Sequence, residues 1–287
     1  AEERRQGEGH VGAVPHLAGG GAVDFRQALA AVLRARGDAA PAAGGELRES
    51  FGYDILARWI IVYRYHSEED LREITKILLQ QLAAGLGEGE SDGVFLRSSA
   101  AGILALIIYR DTQSSFLDAI DIKTIAADAG TYLVQERDHR AYVPDKGWAN
   151  ACGNTADLLR YLAYNTSLDA PHLLQMLNCI AEKVLQVSGN RFEHDEDDRL
   201  AKAALAIMSR SELTIPEINE WLTHFLIWSD EHRPEKDAYD PSYHQVYQNV
   251  KRFLRALLVQ IRVAPRLASN LHQLETDIVA AVRVFSL

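Results

Sequence analysis

The sequence predicts an all-α protein, and three patterns support this prediction. Apolar residues recur with the period of amphipathic helices, about 3.6 residues, from Glu46 to the end of the chain. The alternation of apolar and polar residues that marks half-buried strands does not occur outside the loops. Paired helices recur about every 45 residues, within the range of HEAT-type repeats. We therefore predict a right-handed stack of about five helical hairpins, a HEAT-like α-solenoid with irregular repeats. A compact irregular helical bundle is the alternative.

Ten helices account for the periodic segments, at 46–65, 68–86, 93–110, 115–137, 147–164, 169–188, 196–210, 215–229, 241–262 and 266–285. The first helix follows a glycine-rich segment. The second begins at Ser67-x-x-Asp70, which has the cap-plus-acid spacing of a helix N-terminus. Gly85 and Gly87 lie where this helix should end. The third helix is apolar on most sides, so it should lie centrally, and Arg97 near its start should reach the surface or one acidic partner.

The later helices are assigned in the same way. The fourth, fifth and tenth depend on the period alone, and the sixth ends at Gly189. The seventh begins at Asp195-x-x-Asp198. The eighth has Thr214 before a first-turn proline, and the ninth has Asp240 in the same position. Strong N-terminal signals therefore predict four of the ten starts.

Two regions differ in composition. Residues 1–45 contain glycine-rich pieces around one amphipathic segment, Val23–Arg36, and we predict a flexible N-terminal segment with one helix. Residues 46–287 are predicted to form a single helical-repeat domain, since repeat proteins grow one unit at a time.

The overall charge argues against several functions. The chain has 30 Lys and Arg against 40 Asp and Glu, a formal charge of −10. Nucleic-acid binding proteins normally carry a basic surface, and anionic membranes attract basic segments, so neither is an expected partner. No apolar stretch reaches the roughly 18 residues of a membrane span, and the longest, Ala100–Tyr109, is expected to be a buried helix. Two cysteines in apolar helical patterns fit a reduced, cytoplasmic protein.

The motifs of common enzyme classes are absent from the sequence. There is no GxGxxG after a strand, no P-loop, no HExxH, no CxxC and no GxSxG. We therefore expect no cofactor.

The segment Asp138–Leu159 resembles the signature of a bacterial helical family catalogued as domain of unknown function 2785. The resemblance extends upstream to Phe95-Leu96-Arg97-Ser98 and downstream to His194-x-Glu196-Asp197-x-Arg199-Leu200-Ala201, and it covers most of residues 50–230. It implies a helical fold but no assigned activity. The family pattern has histidines where this chain has Asn150 and Asn154, and only Asp157 is retained. Because neutral amides are weak ligands for transition metals, we expect no metal at these positions.

Four polar residues of the predicted fifth helix share one face. At about 100° per residue, Asn150, Asn154, Asp157 and Tyr161 fall on one strip, with Trp148 on the opposite, core side. The strip is either the solvated face of an amphipathic helix, or a ligand site or buried polar contact between repeats. Asn and Asp are weak helix formers, which favours the second interpretation. Nearby, Arg140 and Tyr142 belong to a loop that precedes the helix, and His194 lies within an acidic run, residues 193–198, at a later helix start.

Two functions fit these patterns. The first is a binding module that holds a small molecule, peptide or protein on its concave face or loop edge, without a cofactor. The second is a cofactor-independent enzyme that acts on a small molecule, for example in a bacterial biosynthetic pathway. Its proton-transfer group would be Asp157 or His194. In the second hypothesis Asn150, Asn154 and Arg140 orient the substrate and an aromatic residue, Trp148 or Tyr142, forms a wall of the pocket. The remaining strip residue, Tyr161, would also contact the ligand.

Overall fold

A computed structural model describes residues 53–64, 66–186, 191–235, 238–264 and 271–285. The predicted N-terminal segment 1–45 and its helix lie outside the described residues. The prediction that 46–287 form one domain stays a prediction.

The described residues are predominantly helical, so the prediction of an all-α chain is confirmed. They contain α1 (Asp54–Ala57), α2 (Glu68–Ala83), α3 (Gly93–Gln113), α4 (Ala119–Gln135), α5 (Ala151–Leu162), α6 (Ala170–Leu185), α7 (Glu196–Met208), α8 (Ile215–His232), α9 (Pro241–Val263) and α10 (Leu271–Val284). A π-helical turn, Arg58–Val62, follows α1. One small hairpin, β1 (Tyr142–Val143) and β2 (Gly147–Trp148), lies between α4 and α5.

Side-chain caps fix the starts of three helices where the sequence predicts them. Ser67 and Asp70 form a reciprocal capping box on α2, and Thr214 and Glu217 form another on α8. Asp240 accepts from two backbone amides at the start of α9. Asp195 precedes α7 as predicted, but it has a left-handed conformation and its side chain makes no cap bond. Three of these four starts therefore follow from the donors that a helix N-terminus leaves unsatisfied.

The helices pack in two series. In one, α3, α5, α7 and α9 contact one another in chain order, and in the other α2, α4, α6, α8 and α10 do the same. Within the first series, α3 and α5 share the most extensive interface. Each helix therefore packs mainly against elements close to it in the chain.

The α3 helix lies at the centre of the core. It is the one described helix whose length and apolar composition would suffice to cross a membrane, and 83% of that stretch is buried inside the protein. A buried core helix has the same composition, and the neighbours of α3 already cover its apolar surface.

Arginine side chains bind the backbone carbonyls of neighbouring hairpins. The Arg110 guanidinium donates to the His66 carbonyl at 3.2 Å, and Arg210 donates to the Ala163 carbonyl at 2.7 Å. Charge-assisted bonds of this kind satisfy carbonyls that helix ends and loops leave without a partner. They fix the hairpins relative to one another.

Candidate functional site

The hairpin before α5 corrects the predicted position of Trp148. We predicted a buried tryptophan in the first turn of a helix that starts at 147, but α5 starts at Ala151 and Trp148 lies in β2, 40% exposed. The two strands pair Tyr142 with Trp148 and Val143 with Gly147. Gly147 has a φ of 83°, which an α-helix does not allow. The turn therefore moves the start of α5 to Ala151 and leaves the Trp148 indole exposed.

Three rings that are distant in the sequence meet at the surface beside this hairpin. The Trp148 ring centroid lies 5.3 Å from that of Tyr142 and 5.1 Å from that of His194, both edge to face. Tyr142 is 51% exposed and His194 is also exposed. We call Tyr142, Trp148 and His194 the aromatic trio. The structure thus brings together three residues that the sequence identified as candidates.

The polar strip of α5 is not a solvated face. The Asn154 side chain donates to the Ser98 hydroxyl of α3 at 2.9 Å and accepts from Arg199 of α7 at 3.2 Å. Arg199 also donates to the Asp157 carboxylate at 2.5 Å. The strip is therefore a polar contact among three helices, the second of the interpretations left open by the sequence.

Asn150 does not belong to this strip, because it precedes α5 in a left-handed conformation, with φ 50° and ψ 41°. Its carbonyl oxygen Oδ1 is buried and has no hydrogen-bond partner among the described residues. A Cβ at Gly153 would lie within 3.0 Å of both this oxygen and the Arg199 guanidinium. The close approach of these two groups to the backbone therefore requires a glycine at position 153. At the far end of the helix, Tyr161 packs its ring 5.1 Å from that of Tyr109 and contacts no other candidate.

Buried ion pairs hold the loop that leads to the hairpin. Arg97 is fully buried and binds both carboxylate oxygens of Glu136, at 2.6 and 3.1 Å, which gives it the acidic partner expected from the sequence. Asp138 is 1% exposed and binds Arg140 and the Ser91 backbone amide. Burial opposes ionisation of Asp138, but these hydrogen bonds outweigh it and lower its pKa.

A pocket lies beneath this loop, between α4, α5, α6 and the start of α7. It is lined by Tyr132, Leu133, Glu136, Asp138, His139, Arg140, Ala141, Asn150, Ala151, Cys152, Thr155, Lys183 and Glu196. Its cavity volume is about 10 Å³, room for about one water molecule, or about 300 Å³ when the open solvent at its mouth is included. We call it the Lys183 pocket, after its buried lysine. Of the predicted site residues, Arg140 and Asn150 line it, whereas Asn154, Asp157 and the aromatic trio do not.

The lining contains several titratable groups with shifted pKa values. Burial lowers the pKa of Lys183, and burial together with the Lys183 charge lowers the pKa of His139 to about 4. Burial raises the pKa of Cys152 to about 12 and that of Tyr132 well above its ordinary range. Shifts of this kind accumulate where ionisable groups are removed from water.

Sequence reasoning missed Lys183, although a signal for it exists. Leu173, Leu177 and Ile180 form the buried stripe of α6, and Lys183 continues it three residues later. A lysine on the apolar side of a helix is rarely buried without partners, so its position could have been noticed.

No group of three or more His, Cys, Asp or Glu side chains within the described ranges could hold a metal ion. The expectation that the chain works without metal stays a prediction.

The comparison with protein families is decisive at this point. The model of a family described as "Protein of unknown function (DUF2785)" matches residues 82–259, more than half of the chain. The chain belongs to this family. The DUF2785 match runs from the end of α2 into α9 and therefore includes the hairpin, the polar contact of α5 and the Lys183 pocket. No curated protein and no solved structure matches the chain.

Proposed function

We propose that this protein is a helical-repeat binding protein that holds a positively charged ligand, such as a basic peptide segment, against the aromatic trio. The order of the two helix series supports a HEAT-like stack, because each helix packs against the one two positions along the chain. The trio lies on the loop edge of that stack. No cofactor is needed for this binding.

The single observation that carries the proposal is the exposed Trp148 ring between Tyr142 and His194. A tryptophan and a tyrosine that are 40% and 51% exposed leave a large apolar area in water. Strand pairing and ring contacts hold both, so binding costs little conformational entropy. Exposed aromatic residues on a fixed loop are typical of binding surfaces.

The charge around the trio favours a cationic ligand. His194 lies between Glu193 and Asp195, both exposed, and Asp145 lies at the tip of the hairpin. A cation over a tryptophan face gains about 0.5–1 kcal/mol at an exposed site, and acidic neighbours add long-range attraction. Lys146, the cation of the hairpin, is held by Asp92 at 2.6 Å. The formal charge of −10 acts in the same direction.

Titration with a tetra-arginine peptide tests this proposal, with a tetra-glutamate peptide as the matched ligand. Binding is followed by calorimetry. We expect the basic peptide to bind and the acidic one not to bind. Trp148→Ala should weaken binding about tenfold, equivalent to about 1.4 kcal/mol. The control Arg160→Ala lies on α5 away from the trio and should change nothing. Equal binding of both peptides, or unchanged affinity of Trp148→Ala, would contradict the proposal.

The enzyme hypothesis has less support. Asp157 is bound by Arg199 and lies outside the Lys183 pocket, and His194 is exposed on the surface. A proton-transfer group needs a substrate cavity within hydrogen-bond reach. The geometry therefore favours binding over catalysis by these two residues.

A further inference from the structure

The first described elements leave large apolar side chains in water. Val62 and Tyr63, at the end of the π-helical turn, are 66% and 50% exposed, and Ile77 on α2 is 37% exposed. Glu73 lies one helical turn before Ile77 and is also exposed. We call Val62, Tyr63, Glu73 and Ile77 the N-terminal face. Apolar side chains exposed in neighbouring elements indicate a surface that another element covers.

The packing order of the second series leaves a position beside α2. The α4 helix packs between α2 and α6, and α6 packs between α4 and α8. Among the described residues, α2 packs extensively against one helix of its series, α4. In helical-repeat proteins, a terminal unit with a polar outer surface covers the end of the stack. A further helix is therefore expected before α2.

The chain has a segment at the right distance for this position. Helices of the second series start at residues 68, 119, 170, 215 and 271, so consecutive starts are 45 to 56 residues apart. One such interval before α2 falls at residues 12–23, and the amphipathic segment Val23–Arg36 begins at the end of this range. Residues 37–52 connect it to Tyr53, the first described residue, and this connection could span up to about 50 Å when extended.

The side chains of this segment suit a terminal helix. Phe25, Leu29 and Val32 recur at i, i+4 and i+7, which places them on one side of a helix. Gln27 and Arg34 fall on the opposite side, where they would form the polar outer surface. One side can therefore pack on an apolar surface while the other side remains in water.

Charge favours the same pairing. The segment Val23–Arg36 has three arginines and one aspartate, a formal charge of +2 within a chain of −10. The α2 helix exposes Glu69 and Glu73 four residues apart, on the same strip as Ile77. A basic segment is thus attracted to the strip of α2 that carries the exposed isoleucine.

We propose that Val23–Arg36 is the terminal helix of the second series and that it covers the N-terminal face of its own molecule, with its apolar side on Tyr63 and Ile77. The proposal rests on the helical-repeat arrangement proposed above, but not on the aromatic trio. Because the segment belongs to the same chain, its effective concentration at the face is high and modest contacts suffice. The covered end no longer offers an apolar surface to a second copy.

Hydroxyl-radical footprinting of the full chain tests the proposal. Tyr63 and Tyr164 are matched probes, because they are 50% and 55% exposed and Tyr164 lies on the link between α5 and α6. Peptide mass spectrometry measures the oxidation rate of each. We expect Tyr63 to be oxidised about threefold more slowly than Tyr164, the ratio for a face that is covered about two-thirds of the time. Tyr132, which is 1% exposed, reports on the core.

Two substitutions with the same change of charge identify what covers Tyr63. Leu29→Asp, on the apolar side of the segment, should raise the oxidation rate of Tyr63 to that of Tyr164. Gln27→Asp, on the opposite side, should leave Tyr63 protected. Tyr132 should stay protected in both variants, which shows that the change is local.

Three results would overturn the proposal. The first is equal oxidation of Tyr63 and Tyr164 in the wild type. The second is protection of Tyr63 that persists in Leu29→Asp, because another contact would then cover the face. The third is protection that disappears when the wild type is diluted, because a second copy would then be the cover. Peptide binding at the aromatic trio is measured separately, so the two proposals fail separately.

Discussion

The guanidinium of Arg199 on α7 lies 2.5 Å from the carboxylate of Asp157 and 3.2 Å from the side-chain oxygen of Asn154, both on α5. One arginine therefore satisfies two short polar side chains that are three residues apart. The amide of Asn154 extends this contact to Ser98 on α3. Three helices of one series are thus connected by hydrogen bonds as well as by apolar packing.

Asn154→Ala should destabilise the protein by about 1–3 kcal/mol. Alanine is the better helix former, but the substitution leaves the Ser98 hydroxyl and the Arg199 guanidinium each without one partner in a half-buried place. Asn178→Ala on α6 is the matched control, because this asparagine is exposed on a helix. It should be neutral or slightly stabilising. Urea unfolding of both variants measures the difference, and equal effects would mean that the hydrogen bonds of Asn154 contribute nothing.

Gly153→Ala should also destabilise, by about 1 kcal/mol. The new Cβ would come within 3.0 Å of the Arg199 guanidinium, which would have to move away from its acceptors. That loss exceeds the gain of about 1 kcal/mol that alanine normally brings to a helix. In an Arg199→Ala background the same change should cost clearly less, because only the Asn150 Oδ1 atom would still lie within 3.0 Å of the new Cβ. A double-mutant cycle in thermal unfolding measures this coupling, and additive effects would refute the explanation.

Two ion pairs of equal length should differ widely in their contribution to stability. Arg97–Glu136 and Lys146–Asp92 both have an N–O distance of 2.6 Å, but their side chains are 0% and 3% exposed in the first and 48% and 47% in the second. Glu136→Ala leaves a buried charge unpaired and should cost about 3–5 kcal/mol. Asp92→Ala should cost about 0–1 kcal/mol. Chemical denaturation of both variants tests the role of burial, and similar losses would contradict it.

Protonation of His139 should destabilise the fold below neutral pH. Its pKa is about 4 in the folded chain, against an ordinary value of 6.5. Between these values the unfolded chain binds more protons than the folded one, so stability falls as pH falls from 6.5 to 4. His139→Gln should lose less stability over this window than the wild type. Melting temperatures measured in steps of pH give the comparison, and parallel curves would exclude a role for His139. Asp138, whose pKa is lowered, contributes equally to the pH dependence of stability in the wild type and in His139→Gln.

Two tryptophans should respond differently to truncation. Trp221 is 2% exposed and its indole donates to the Leu177 carbonyl at 2.8 Å, so Trp221→Ala should cost about 3–5 kcal/mol. Trp148 is 40% exposed, and Trp148→Ala should cost clearly less. The fluorescence-detected unfolding midpoint of each variant decides the point. A loss for Trp148→Ala as large as that for Trp221→Ala would mean that the hairpin is essential to the fold.

The sequence predicted the helices well where the signal is local. The period of apolar residues identifies α2 to α9, and a capping pair such as Ser67 with Asp70 locates a helix start, because both depend on residues within one helical turn. The predicted start of α5 was wrong, because the hairpin turn depends on the positive φ of Gly147. The period of apolar residues carries no information about that angle.

The site was predicted in part for the same reason. Asn154 and Asp157 were recognised as unusual for a helix surface, but their partner Arg199 lies more than 40 residues away, and no local rule pairs them. The three residues of the aromatic trio were each identified as candidates, but the sequence did not predict that they contact one another. Lys183 was missed because a single lysine in an amphipathic helix is ordinary until its neighbours show that it is buried.

The side-chain bonds that join neighbouring hairpins have a further consequence. The bonds from Arg72 to Phe116, from Lys183 to Glu136 and from Trp221 to Leu177 span 44, 47 and 44 residues, about the length of one hairpin. In the helical-repeat arrangement proposed above, each such bond reaches only the adjacent hairpin. A chain built in that way can gain or lose a terminal hairpin by duplication or deletion while the remaining interfaces keep their geometry. Differences in length among family members should therefore come in whole hairpins, added at either end of the segment that carries the pocket and the aromatic trio.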